Sequence, residues 1–128
     1  MKKLSYIIAL FLCLISDSAH PNTQTDSLRL VWENESLLDS TRFDALDEYY
    51  ELYVHVIPDS VLLTLDYYYD LATRKNAVRQ IYRARLRRGN IYRDQKKYQA
   101  ALSNYKLARG AAQKLNNSRL EAIVIGNF

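Results

Sequence analysis

The chain has little of what usually closes a small catalytic or secreted domain. Its 128 residues contain one cysteine, two prolines, three glycines, one methionine and one tryptophan. A single thiol makes no intrachain disulfide, so stability has to come from packing. The two histidines, His20 and His55, lie far apart with no cysteine or second histidine at ligand spacing, which argues against a zinc site. Three scattered glycines build no phosphate-cradling loop. No serine sits in a Gly-x-Ser-x-Gly setting. Acid neighbours such as Asp47 and Glu48 point apart on a helix and read as a solvated face. No catalytic constellation and no cofactor site emerges, so the chain is not expected to be an enzyme. Long apolar runs are also missing. The one run, Leu4 to Ile15, is shorter than the ~20 residues that span a bilayer.

That run has its own meaning. Lys2 and Lys3 precede it, and Ser16, Ser18 and Ala19 come after it. A positive start, a short apolar core and a small-residue exit make a secretory signal over residues 1–19. Cleavage after Ser18 or Ala19 fits best, with Asp17 poorly placed for either. The alternative is a short anchor that is never cut. Cys13 comes after Phe11 and Leu12, not the small residues of a lipid-attachment site, so it reads as filler inside the run. The expected location is the periplasm or cell envelope. Membrane contact is expected only through this signal or through a span downstream of Phe128.

Charge is divided along the chain. From Pro21 to Ala72 there are 11 acids against Arg29 and Arg42. From Thr73 to Phe128 there are 14 bases against Asp94 and Glu121. Such a split points either to an anionic partner for the basic half or to two faces of one molecule that pair with each other.

Hydrophobic period supplies the fold class. Pro21 to Ser27 is polar and aperiodic, a leader, and Leu28 to Trp32 is a short apolar segment, expected as a short N-terminal helix that docks on the helical region after it; together they fill residues 20–33. Over 34–128 apolar residues recur at steps of three and four, the mark of amphipathic helices. Phe43, Leu46 and Tyr50 open the first face, and Pro58 ends it. Asp39 or Ser40 and Asp59 or Ser60 are candidate N-caps. The spacing predicts helices over about 41–57, 60–75, 77–94, 98–115 and 119–127, with a left-handed helix end near Asn76. No segment reads as a strand. Helix, short turn, helix is the pattern of antiparallel pairs.

One stretch repeats a known spacing. Gly89, Tyr92, Tyr98, Ala101-Leu102, Tyr105 and Ala108 stand at the steps of a tetratricopeptide repeat (TPR). In that pattern Gly89 and Ala101 let paired helices approach, Tyr92, Tyr98 and Tyr105 fill the space between pairs, and Ala108 lets the next helix pack down. Arg88 stands where the family usually has Leu, and Lys96 where its turn usually has Gly. The chain from 28 to 128 resembles the exported TPR sensor region of bacterial proteins that continue into a membrane span and an output module, such as a class III adenylate or guanylate cyclase or a sensor histidine kinase. The resemblance implies an all-α TPR solenoid of about two pairs plus a partial third. It implies protein–protein interaction as the function, as the sensing part of a signalling protein. The runner-up is the N-terminal fragment of such a cyclase or kinase, whose catalytic module is absent from this chain, and the break inside the last helix points the same way. A purely structural scaffold in an envelope assembly is the third class.

The third predicted helix is rich in arginine: Arg79, Arg83, Arg85, Arg87, Arg88 and Arg93, with Lys96 and Lys97 in the turn beyond it. By the family's spacing, Arg83, Leu86, Asn90 and Arg93 face the concave groove, where related grooves hold a peptide carboxylate with cations and an asparagine. That implies an acidic or C-terminal peptide partner. The competing reading pairs these arginines with acids such as Asp66 and Asp70. Nucleic acid is expected to be no partner, because exported chains rarely meet it and the 11 tyrosines sit at inter-helix positions.

Overall fold

Proline and left-handed turns cut the described residues, 23–128 of a computed structural model, into six α-helices. They are α1 (Thr23–Glu33), α2 (Asp39–Tyr53), α3 (Pro58–Arg74), α4 (Val78–Asp94), α5 (Tyr98–Lys114) and α6 (Ser118–Ile125). Among the described residues there is no strand. The expected signal over 1–19, with Cys13, and the neighbouring His20 and Pro21 lie outside them. No described helix is long and apolar enough to cross a membrane.

The helix ends differ from the expectation for local reasons. α2 stops at Tyr53, not near residue 57. Val54, Val56 and Ile57 are β-branched, and Pro58 drives the residue before it out of helical space. Ile57 accordingly sits at φ −135°. Pro58 then opens α3, where a missing N–H breaks no bond. Asp39 and Asp59 therefore lie inside the first turns of α2 and α3 and act on the helix dipole, and neither they nor the serines after them are caps. Asn117 does cap α6, accepting from the Leu120 amide at 3.1 Å. The residues expected as a leader are also more ordered than their polarity implies. α1 already runs from Thr23, and Thr25 Oγ1 donates to Tyr53 Oη at 3.1 Å.

Three later turns copy one another. Asn76, Lys96 and Asn116 take φ of 51°, 60° and 49°. In each turn the next amide reaches back to close the helix: Ala77 to the Ala72 carbonyl (2.9 Å), Lys97 to Tyr92 (2.8 Å) and Asn117 to Ala112 (3.2 Å). The left-handed residue itself donates to Thr73, Arg93 or Gln113. This is the Schellman helix end. Asparagine tolerates it, whereas lysine strains in left-handed space. Helices open at 58, 78, 98 and 118, so a hairpin repeats every 40 residues. A TPR repeats every ~34. Each helix here is about one turn longer than that spacing allows.

Cross-contacts fix the directions. Asp59 meets Gln95, Asp66 meets Arg88, and Tyr69 meets Arg85, so α3 and α4 run antiparallel. Asp47 meets Arg83 and Glu51 meets Arg87, so α2 and α4 run parallel. The described residues form an all-α array of antiparallel neighbours in which α4 touches both α2 and α6.

Two cores hold it. Around α1 to α3, Trp32 packs edge-on against Tyr49 (5.3 Å) and Phe43 against Tyr68 (5.1 Å), with Leu46 and Leu65 buried between them. Around α4 to α6, Ala101, Ala108, Ala111 and Ala112 are buried with Tyr82 and Tyr105. Gly89 is buried, and a Cβ there would overlap the Tyr105 ring. α4 and α5 accordingly make the most extensive pairing among the described helices. Tyr92 and Leu102 are half-buried. Tyr98 corrects the expectation: at 62% exposure it fills no space between pairs, because it opens α5 on the outer side.

One buried cation was not foreseen. Arg42 is 2% exposed; its Nε donates to the Trp32 carbonyl (2.9 Å), its Nη2 to Tyr67 Oη (3.0 Å), and Asp39 lies 3.6 Å from Nη1. The guanidinium thus satisfies the C-terminal end of α1 and ties it to α2 and α3.

Candidate interaction surface

The arginines of α4 radiate to different neighbours because each residue advances the helix by 100°. Arg83 and Arg87, four apart, both reach Asp47 on α2, and Arg87 also reaches Glu51 at 3.4 Å. The Arg87 guanidinium lies 4.1 Å over the Tyr50 ring. Arg88 turns to α3, pairs with Asp66 and donates to Tyr92 Oη at 3.2 Å. Arg85 stacks 4.0 Å over the Tyr69 ring and meets no carboxylate among the described residues. The Arg85 guanidinium holds the Tyr69 phenol below its usual range, while burial pushes the Tyr50 phenol up. The split of charge along the chain is therefore in large part internal complementarity: acids of α2 and α3 face bases of α4.

This reassigns several expected residues. Asp47, read as part of a solvated face, is the acceptor for two arginines, and its side chain is only 21% exposed. Glu48 beside it is exposed. Asp66 takes the expected role toward Arg88, but Asp70 makes no ion pair among the described residues. The signal that could have found Asp47 is its distance of one hairpin, 40 residues, from Arg87.

The four groove residues do not form one open surface. Arg83 is held by Asp47. Leu86 packs against the alanine core. The Asn90 side-chain oxygen accepts from Tyr105 Oη at 2.9 Å, which seats the ring over Gly89. Arg93 differs. Its side chain is 42% exposed; it bonds to the surface groups Asp94 (3.1 Å) and Asn127 (2.9 Å) and lies beside the Tyr105 hydroxyl. It stands at the edge of an apolar pocket of about 330 Å³ walled by Tyr98, Leu102, Tyr105 and Phe128. Phe128 meets Tyr105 edge-on at 5.8 Å. Sequence spacing placed Arg93, Tyr98, Leu102 and Tyr105 in two separate groups, one for binding and one for packing. The fold brings them to one rim, and it adds Phe128.

A second hollow lies against the N-terminal half of α4, between α3 and α5. It measures about 260 Å³ and is floored by Val78, Ile81 and Ala111. Arg85, Lys106 and Lys114 stand around it. Gly110 lines it too, inside α5, where an added Cβ would meet nothing within 4 Å. Glycine inside a helix costs about 1 kcal/mol relative to alanine, and no neighbour among the described residues requires it at 110. The matching hollow one hairpin earlier, between α1 and α3, carries the self-paired Arg29 and Glu33 instead. Compared with known protein families, curated proteins and solved structures, the chain finds no match.

Proposed function

We propose that this chain is a protein-binding helical-repeat module of TPR type, exported to the cell envelope, that takes an apolar peptide end bearing a carboxylate. One observation carries the reading: a half-exposed guanidinium, Arg93, at the rim of a 330 Å³ pocket lined with aromatic and aliphatic side chains. An anionic group and an adjoining apolar side chain are what such a pair of features recognises. The exposed Tyr98 ring supplies a rigid wall for that side chain. The burial of Gly89, Ala101 and Ala108 supports the TPR part, while the 40-residue hairpin departs from the ~34-residue period of that repeat. The basic start and apolar run over 1–19 support export. Within the resemblance, such a module is the sensing part of a signalling protein.

Fluorescence anisotropy with short peptides ending in Leu or Phe tests the pocket. Free-carboxylate peptides should bind about tenfold tighter than the same peptides amidated. Arg93→Ala should erase that difference, and Tyr98→Ser should weaken both forms. Arg83→Ala, whose guanidinium is engaged with Asp47, should leave the difference intact. Equal binding of acid and amide by the unaltered protein would end the proposal.

A further inference from the structure

We propose a second and independent binding site: the hollow between α3 and α5 docks an acidic amphipathic helix of a partner protein. Charge complementarity is the first ground. Arg83, Arg87 and Arg88 on α4 each find a carboxylate within the chain. Arg85, on the side facing the hollow, meets Tyr69 and no carboxylate among the described residues. Lys106 and Lys114, exposed on α5, have no partner among the described residues, and no acid lines the hollow. Three cations thus frame an apolar floor. Arg83, Arg87 and Arg88 are matched by acids of α2 and α3 packed beside them, and an acidic helix laid between α3 and α5 would repeat that match.

Gly110 is the second ground. Gly89 is explained inside the molecule, because a side chain there would overlap Tyr105. Gly110 has open space before it, yet it sits in mid-helix on the wall of the hollow. A bare backbone position facing solvent is accounted for by a partner that approaches closely there. Beside it Leu107 is 50% exposed, an apolar side chain on the lip of the hollow. The hollow is smaller than the ~300–1,000 Å³ of pockets that enclose a small ligand. It suits the side chains that a helix lays into a groove at i and i+4.

The test uses the full chain and three labelled amphipathic peptides about 18 residues long, with the same leucine stripe flanked by Glu, Gln or Lys. The Glu peptide should bind about tenfold tighter than the Gln peptide, with the Lys peptide weakest. Amide shifts should centre on Leu107, Gly110 and Lys114. Lys106→Glu with Lys114→Glu should remove the preference with helicity unchanged. Gly110→Ala should raise the melting temperature while weakening the Glu peptide, opposite signs that no purely structural role for Gly110 produces. Gly110→Leu should abolish binding, and Arg93→Ala should not affect it. Equal affinity for Glu and Gln peptides, no binding of the Glu peptide, or unchanged binding by Gly110→Leu would overturn the proposal. Binding of oleate with none of the Glu peptide would overturn it in favour of a small anionic amphiphile. Concentration-dependent dimers lost on Lys114→Glu, again without peptide binding, would assign the hollow to a second copy of this chain.

Discussion

The cores around α1 to α3 and around α4 to α6 hold hairpins of the same design with different side chains. The first is filled mainly by rings and branched aliphatics, Trp32, Phe43, Tyr49, Tyr68, Leu46 and Leu65, with Ala45 and Ala72 and with Ala84 and Ile91 entering from α4. The second is made of Ala101, Ala108, Ala111 and Ala112, with Tyr105 set over Gly89. Large residues fill space between helices held apart, whereas small residues let helices close until backbone and ring touch. The two cores should fail in opposite ways, one by truncation and the other by enlargement. The ion pairs from Asp47 to Arg83 and Arg87 join them.

The largest effect tests that asymmetry directly. Phe43→Ala should cost about 3–5 kcal/mol by urea denaturation, the range for emptying an aromatic core site. Ala108→Leu, at 0% exposure, should cost about 1–3 kcal/mol by overpacking. A neutral Ala108→Leu would erase the distinction between the cores.

Alkali should strike the aromatic core next. Burial, with Asp47 adding to it, pushes the Tyr68 phenol up to about 12 against the opposing Arg83 and Arg87. The unfolded phenol ionises near 10, so between about pH 10 and 12 the unfolded state loses a proton that the folded state keeps. Stability from this group is complete below pH 10 and is lost toward pH 12, at about 1.4 kcal/mol per pH unit. Tyr68→Phe should flatten part of that decline. An unchanged alkaline slope in Tyr68→Phe would remove Tyr68 as its source.

The smallest effect concerns the turns. Lys96 holds φ 60° without the side-chain advantage of Asn76 and Asn116. Lys96→Gly should stabilise by about 1 kcal/mol, and Asn76→Gly by less. A rise in the melting temperature for Lys96→Gly, absent for Asn76→Gly, sharpens the comparison of the three turns. Equal responses would blunt it.

Much of the helix content was legible because period, proline and left-handed asparagine are local signals. Pro58 marked the break between α2 and α3, and Asn76 marked the end of α3. The candidate site was legible only in pieces. Arg93 stood out by family spacing, but Tyr98 was assigned to packing and ends up exposed at the same pocket. Asp47 looked like surface charge because its partners lie 36 and 40 residues away, beyond any local window. Arg42 looked like an ordinary base in an acidic segment, and it is buried against the end of α1.

The sequence by itself determined the helices, their breaks and the excess of acid in one half and base in the other, because backbone preference and hydrophobic period act over a few residues. Only the tertiary structure decided which charges meet and which remain open. That choice depends on where 17-residue helices stop and turn, since each helix end sets the register of every side chain across the next interface. A 40-residue hairpin carries Arg87 onto Asp47 and leaves Arg85, Lys106 and Lys114 around a hollow without an acid.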